Sequence, residues 1–292
     1  MTIVSLLAAP GRADLTAAII EPLRRDWQGG DLRWLADGVA AEFAIPAMPA
    51  DAADRGDALR AAGFDLAIQP ARNRRKSLLL ADMDSTMIMQ ECIDELAAEA
   101  GVGPRVAAIT ARAMNGELNF HEALTERVGL LAGLPESVIA HVLETRITHA
   151  AGGAALIATM RAAGAHTVLV SGGFTAFTGP IAQVLGFHEH HANTLLVADG
   201  RLTGQVAQPV LGKQAKLDAL KAISTRLGLT PADAIAVGDG ANDLAMIEAA
   251  GTGVALHAKP VVAAQAPIRI DHGDLTALLY LQGYRADEFE RP

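Results

Sequence analysis

From Lys76 onward the chain alternates short, almost uninterrupted apolar runs, SLLLAD, AHTVLVS, AIAVGD, TGVAL and PIRID, with longer stretches of helical periodicity. Strands that are apolar along their whole length must be covered on both faces, and the intervening helices supply the covers. The pattern predicts an α/β architecture built on a Rossmann-like parallel sheet. Such sheets bind ligands beyond the carboxyl ends of their strands. Asp82, Ser171 and Asp239 stand at three such ends and are expected to face one crevice.

Two segments depart from this alternation. Residues 93–149, lying between the first two strands, read as four successive helices, too many for one crossover, and are expected to form an inserted helical cap on a core of residues 76–92 and 150–292. Before the core, residues 1–72 read strand, helix, strand, strand, helix, strand, with ADG between the two middle strands. That order suggests a small α+β ferredoxin-like domain, similar by pattern to ACT-type amino-acid-binding modules, and it leaves open an amino-acid ligand there. Every proposed ligand lies after Lys76, so residues 1–70 are expected to be dispensable for the rest. The basic run Arg72, Arg74, Arg75, Lys76 reads as a solvated linker.

With 51% hydrophobic and 20% charged residues over 292 positions, the chain has a globular composition. A net charge of −9 argues against a nucleic-acid partner, which demands a basic face. The single cysteine, Cys92, excludes an internal disulfide and suits a reducing compartment. No apolar run is long enough for a membrane span, and MTIVSLLAAPGRAD lacks the basic start of a secretory signal. The expected location is the cytoplasm; a homodimer is left open.

Asp82 and Asp84 place two carboxylates at one strand end. Acids that close cannot both ionise cheaply, so one is expected to titrate high, giving a nucleophile beside a general acid. In VSGGF, Ser171 offers a hydroxyl, and Gly172 and Gly173 let backbone N–H groups approach an anion. VGDGAND places Asp239 at a strand end, with Asn242 and Asp243 in the next turn. Hard oxygens there suit Mg²⁺ beside phosphate oxygens, although a helix cap would also account for Asp243. Lys213 opens the preceding helix, and spacing alone does not choose among Lys213, Lys216 and Lys221.

DMDST, VSGG, the helix-opening lysine and GDGAND together resemble the motif set of the haloacid dehalogenase superfamily of phosphotransferases. ECIDELA, AMNGELNFHEALTERVGLL and AVGDGANDLAMI extend the resemblance, over roughly residues 76–285, to the branch that hydrolyses phosphoserine. The resemblance implies Asp82 as the nucleophile that becomes an aspartyl-phosphate and Asp84 as general acid and then base. It further implies Mg²⁺ on Asp82, the Asp84 carbonyl and Asp239. Ser171, Gly172 and Lys213 would hold the phosphoryl oxygens, with Asn242 and Asp243 supporting the metal or the lysine.

Specificity is expected from the cap. Arg127 falls on the same helical stripe as Leu124 and Leu131, where a cation wants an anionic partner or reaches for solvent. By resemblance, Arg127 grips the carboxylate and Glu91 the ammonium of O-phosphoserine, while Met114 and Phe120 close around its small side chain. His188, His190 and His191 in GFHEHHAN read as a solvated loop. NTLLVADGRLTGQV, with Asp199-Gly200 as its turn, reads as a hairpin adding an edge. Two other readings stay open: transfer of the phosphoryl group to an alcohol instead of water, and an amino-acid sensor on a phosphatase-like scaffold.

Overall fold

The computed structural model describes residues 1–114 and 117–291, with the side chains of Ala113, Met114 and Lys213 outside the described set. The N-terminal unit runs β1 (Thr2–Ala8), α1 (Ala17–Asp26), β2 (Arg33–Ala36), β3 (Ala40–Ile45), α2 (Ala52–Ala61) and β4 (Phe64–Pro70). Its four strands form an antiparallel sheet in the order β2-β3-β1-β4. Val4, Leu6, Phe43, Ile45, Phe64 and Leu66 meet Ile20 and Leu23 of α1 in a core of their own.

The larger unit starts at β5 (Leu78–Ala81), and four helices follow: α3 (Cys92–Glu99), α4 (Gly103–Met114), α5 (Phe120–Gly129) and α6 (Ser137–Thr145). Then come α7 (Gly153–Ala162), β6 (His166–Phe174), α8 (Thr175–Leu185), β7 (Glu189–Asn193), β8 (Leu195–Ala198), β9 (Arg201–Val206) and α9 (Lys213–Arg226). The chain ends with β10 (Ala234–Gly238), α10 (Leu244–Ala249), β11 (Thr252–Leu256), α11 (Pro260–Ala263), β12 (Ile268–Ile270) and α12 (Ala277–Leu281).

Six strands make one parallel sheet in the order β12-β11-β10-β5-β6-β7. Every residue of β5, β10 and β11 is buried, which is why these strands show no apolar-polar alternation. From β5 the chain builds outward through β6 and β7, then returns to place β10 on the opposite side of β5. The switch point therefore falls between β5 and β10, whose ends carry Asp82 and Asp239. Helices α3–α6 leave and rejoin the sheet through two chain segments lying side by side. Ile88 bridges His149, Met89 N–H donates to Thr148 O at 2.9 Å, and Ala150 N–H donates to Met87 O at 2.9 Å.

Three expectations are corrected. The histidine-rich stretch is not a solvated loop: it is β7, the edge strand of the main sheet. His188 stacks on His166, and His190 Nδ1 lies 2.8 Å from Thr178 Oγ1. The β8–β9 hairpin turns at Asp199-Gly200, both with positive φ, but forms its own two-stranded sheet instead of an edge. It is fastened to the cap: Gly133 N–H donates to Leu202 O at 2.8 Å and Glu136 N–H to Gly200 O at 2.9 Å.

The basic run is a joint, not a solvated linker. Arg74 pairs with buried Glu42 at 2.6 Å and donates to Leu281 O, and Arg75 lies over the Tyr284 ring while pairing with Glu288. Lys76 Nζ donates to Ala232 O at 2.8 Å. Asp65, with no solvent exposure, accepts N–H groups from Asp271, His272 and Gly273 at 2.8, 3.0 and 2.8 Å. Leu7, Leu35, Ala40 and Ala67 share one apolar cluster with Leu275, Leu278 and Tyr280. This joint speaks against the dispensability of residues 1–70.

Candidate active site

A cleft of about 840 Å³ lies between the carboxyl ends of the sheet strands and the cap. Asp82, Asp84, Glu91, Phe120, Arg127, Gly172, Asp239 and Asn242, all singled out from the sequence, line it. Ser171 is nearly buried beside them, and its Oγ–H donates to Asp84 Oδ2 at 3.0 Å. Met114 lies on α4, and its side chain is outside the described residues.

Asp82 follows directly from β5, its N–H donating to Val237 O of the neighbouring strand at 3.0 Å. Its Oδ1 accepts the Met83 N–H at 2.8 Å and lies 2.6 Å from Lys216 Nζ. Oδ2 is left without a hydrogen-bond partner among the described residues, free for a ligand. Burial, then the charge of Asp243, pushes the Asp82 carboxyl well above the ordinary carboxylate range, while Lys216 pulls it back. The expected upward shift in the acid pair thus falls on the nucleophile candidate, because it is the carboxyl sealed from water. A cation in the cleft would reverse that push.

Asp84 is held at both oxygens, Oδ1 accepting the Cys92 N–H at the start of α3 at 2.8 Å and Oδ2 accepting from Ser171. The chain reverses immediately afterwards through Ser85, whose φ of 55° lies in the left-handed region. A Cβ on Gly173 would stand 2.8 Å from Asp84 Oδ2, so only glycine fits against this carboxyl.

Among the described residues the lysine at Asp82 is Lys216, Nζ to Oδ1 2.6 Å; the side chain of Lys213 lies outside the described residues. Lys216 Nζ is buried between Asp82 and Asp243, 2.5 Å from Asp243 Oδ1. Burial alone would lower its affinity for a proton, but the two carboxylates overcome this and hold the ammonium charged. The signal was present in the sequence: Lys216, Leu220 and Ile223 recur at i, i+4 and i+7 on the buried face of α9. Asp243 is not a side-chain helix cap either. Its second oxygen accepts the Gly240 N–H at 3.0 Å, and a Cβ on Gly238 would sit 2.3 Å from its Cγ. Asn242 fills the space between Gly240 and Gly172.

Oxygens of Asp82, Asp239 and Asp243 lie within 4.8 Å of one another. Burial raises Asp239; Lys259, half exposed at 3.7 Å, and the more distant Lys216 pull it back without cancelling that rise. Two under-neutralised carboxylates flanking the switch point, all with hard oxygen donors, fit a small divalent cation. The Asp84 carboxyl is turned toward Ser171 and Cys92, so the geometry groups Asp243, not the Asp84 side chain, with Asp82 and Asp239. Lys259, from the turn before α11, was not singled out in the sequence.

At the cap side, α5 begins with a capping box between Asn119 and Glu122 and carries Arg127 into the cleft. Arg127 makes no ion pair among the described residues; its Nε donates only to Ala123 O at 3.2 Å. Glu91 accepts from Ser85 Oγ at 2.8 Å and is pushed up to about 7, by burial first and by Asp84 second. Phe120 packs over Gly172, where a Cβ would lie 3.3 Å from the ring. The cleft thus joins a buried lysine and clustered acids at the strand ends to Arg127 and Glu91 on the other side, with Lys259 also in its lining.

Residues 79–248 match the model of the haloacid dehalogenase-like hydrolases. A phosphoserine phosphatase of Streptomyces coelicolor is 39% identical over 99% of this chain and 72% of its own length. A haloacid dehalogenase family hydrolase of Salmonella enterica serovar Typhi superposes with a TM-score of 0.85 at 30% identity, over 96% of this chain and 97% of that one. A substrate-bound phosphoserine phosphatase complex is 41% identical with a TM-score of 0.66, over 70% of this chain and 97% of its own. With the doubly bonded Asp82, the buried Lys216 and the Asp239–Asp243 turn gathered at one switch point, the chain belongs to the haloacid dehalogenase-like hydrolases.

Proposed function

We propose that this chain hydrolyses O-phospho-L-serine to L-serine and phosphate through an aspartyl-phosphate on Asp82, with Mg²⁺ as cofactor. The observation that carries the reading is Arg127, a largely buried cation without an ion-pair partner among the described residues, lining the same cleft as Glu91 and Asp82. A phosphate ester bearing both a carboxylate and an ammonium satisfies Arg127 and Glu91 together; a plain phosphomonoester satisfies neither. The relatives that bear the phosphoserine phosphatase name support the same substrate.

Asp82 Oδ2, the unengaged oxygen, forms a bond to phosphorus as the bond from phosphorus to the seryl oxygen breaks. Asp84 gives its proton to the departing oxygen, releasing serine. The deprotonated Asp84 then takes a proton from water attacking phosphorus, the bond to Asp82 breaks, and phosphate leaves with both carboxyl groups restored. Ser171, the Gly172 N–H and Lys216 bind the phosphoryl oxygens. Asp82, Asp239 and the Asp84 carbonyl would hold Mg²⁺, with Asp243 beside them. The ion supplies positive charge that keeps Asp82 ionised and makes the approach of a dianionic phosphate tolerable. Glu91 and Arg127 orient the amino-acid end, while Phe120 excludes water from above.

Phosphate release from phosphoserine, phosphoethanolamine and an aryl phosphate, with and without Mg²⁺, tests this. The reading requires a clear preference for phosphoserine and loss of turnover on chelation. Equal rates on all three esters would refute the substrate, and serine-independent phosphoryl transfer to an added alcohol would mark a transferase.

A further inference from the structure

Between Val170 and Phe174 the β6 strand carries Ser171, Gly172 and Gly173, whereas β7 opposes them with Ala192 alone. The extra residues must bulge out of the ladder, and a bulge leaves backbone groups without their strand partner. Here the gap is filled by a side chain. Asn193, 2% exposed at the carboxyl end of β7, donates from Nδ2 to Gly172 O at 2.9 Å. The same amide donates to Leu211 O at 3.2 Å, and its Oδ1 accepts the Leu211 N–H at 2.7 Å. Leu211 lies where the chain returns from the hairpin toward α9 and Lys216.

The bonded carbonyl belongs to the Gly172–Gly173 peptide, whose N–H at Gly173 donates to Ser171 Oγ at 2.8 Å. With that acceptance fixed, the Ser171 hydroxyl hydrogen is directed at Asp84 Oδ2. One peptide plane therefore sets both the aim of the loop and the hydrogen bond to Asp84. Two glycines in a row have no side chains to set that plane themselves.

We propose that Asn193 is a positioning residue for phosphoryl binding: it sets the Gly172–Gly173 peptide, and through it the Ser171 side chain, beside the phosphate site, where the hydroxyl hydrogen turns from Asp84 to a phosphoryl oxygen. The inference rests on the phosphatase reading. It acts on the phosphate end alone, so its signature is the opposite of a contact to the amino-acid end. In the full chain with Mg²⁺, Asn193→Ala and Asn193→Leu should raise the inhibition constant of inorganic phosphate about tenfold, the scale of one hydrogen bond serving a charged ligand. The KM for phosphoserine and for phosphoethanolamine should rise together, leaving their ratio as in the parent. Inhibition constants do not depend on how much protein is folded, so mere destabilisation would leave them unmoved.

An unchanged phosphate constant, or a loss confined to phosphoserine, would overturn the proposal. If neither variant folds, amide exchange on the parent decides. Phosphate with Mg²⁺ should slow exchange at both Gly173 and Leu211, and slowing at Gly173 without Leu211 would overturn it equally. If phosphate fails to inhibit the parent at all, the phosphatase reading itself is what fails.

Discussion

Replacing Asp65 by alanine tests whether the N-terminal unit is a separable appendage or part of one folded body. The carboxylate is fully buried and accepts three backbone N–H groups from the turn at Asp271, His272 and Gly273. Removing it orphans all three donors inside the joint, at roughly 1 to 2 kcal/mol each, so about 4 kcal/mol in total. That is a large fraction of a typical domain stability of about 5 to 15 kcal/mol. Asp65→Asn keeps one acceptor oxygen and should lose about half as much. The effect should reach the active site, because Leu275 N–H, just beyond the turn, donates to Ala151 O beside the cap hinge at 3.2 Å. Deleting residues 1–70 should be worse still, since it also uncovers Leu275, Leu278 and Tyr280. Urea unfolding followed by circular dichroism and by activity should give one shared transition, shifted in Asp65→Ala. A loss under about 1 kcal/mol, or an early N-terminal transition that leaves activity untouched, would refute the reasoning.

Three further outcomes are expected. Arg127→Ala should lower kcat/KM for phosphoserine by at least tenfold while scarcely changing phosphoethanolamine; equal decline on both would reduce Arg127 to a structural prop of the cap. Asp82→Asn should abolish turnover and phosphoenzyme labelling, whereas Asp84→Asn should slow turnover about 10²- to 10⁴-fold and still permit some labelling; labelled Asp82→Asn protein would rule out this nucleophile. Glu91, held at about 7 against an ordinary 4.5, binds its proton more tightly folded than unfolded, so it costs stability increasingly as pH rises from 4.5 through 7. Glu91→Gln should therefore match the ligand-free parent below that window and exceed it by up to about 3 kcal/mol above it, and a constant difference across pH in chemical unfolding would contradict the assigned cause.

The sequence made the central sheet legible because buried parallel strands leave an unmistakable trace, whole runs such as LLLA and AIAVG with no polar residue between them. Edge strand β7 left none. It pairs with one neighbour only, so EHHAN can keep charged and imidazole side chains half in water and still be a strand. The joint was hidden for a different reason. Arg74 and Arg75 find their partners at Glu42 and Glu288, and no local pattern links Arg75 to an acid 213 residues away. A run of cations reads as solvated until the fold supplies the counter-charge.

The choice between Lys213 and Lys216 turns on the same distinction between position along the chain and position on a helix. The motif says that a lysine near the helix start reaches the phosphate; it does not say which turn faces the sheet. The apolar residues of α9 answer that, since Leu220 and Ile223 are the ones buried against β6 and β10, and Lys216 continues their stripe toward Asp82. A cation on a buried stripe is tolerable only where fixed anions await it, and here two carboxylates do. That argues for reading a lone charge inside an apolar period as the residue placed for chemistry, ahead of a charge at a helix end, where solvent can always accept it. Asn193 obeys the same logic on a strand: its amide spans from the double-glycine bulge to the Leu211 backbone, and so holds the bulge in one orientation against the returning chain.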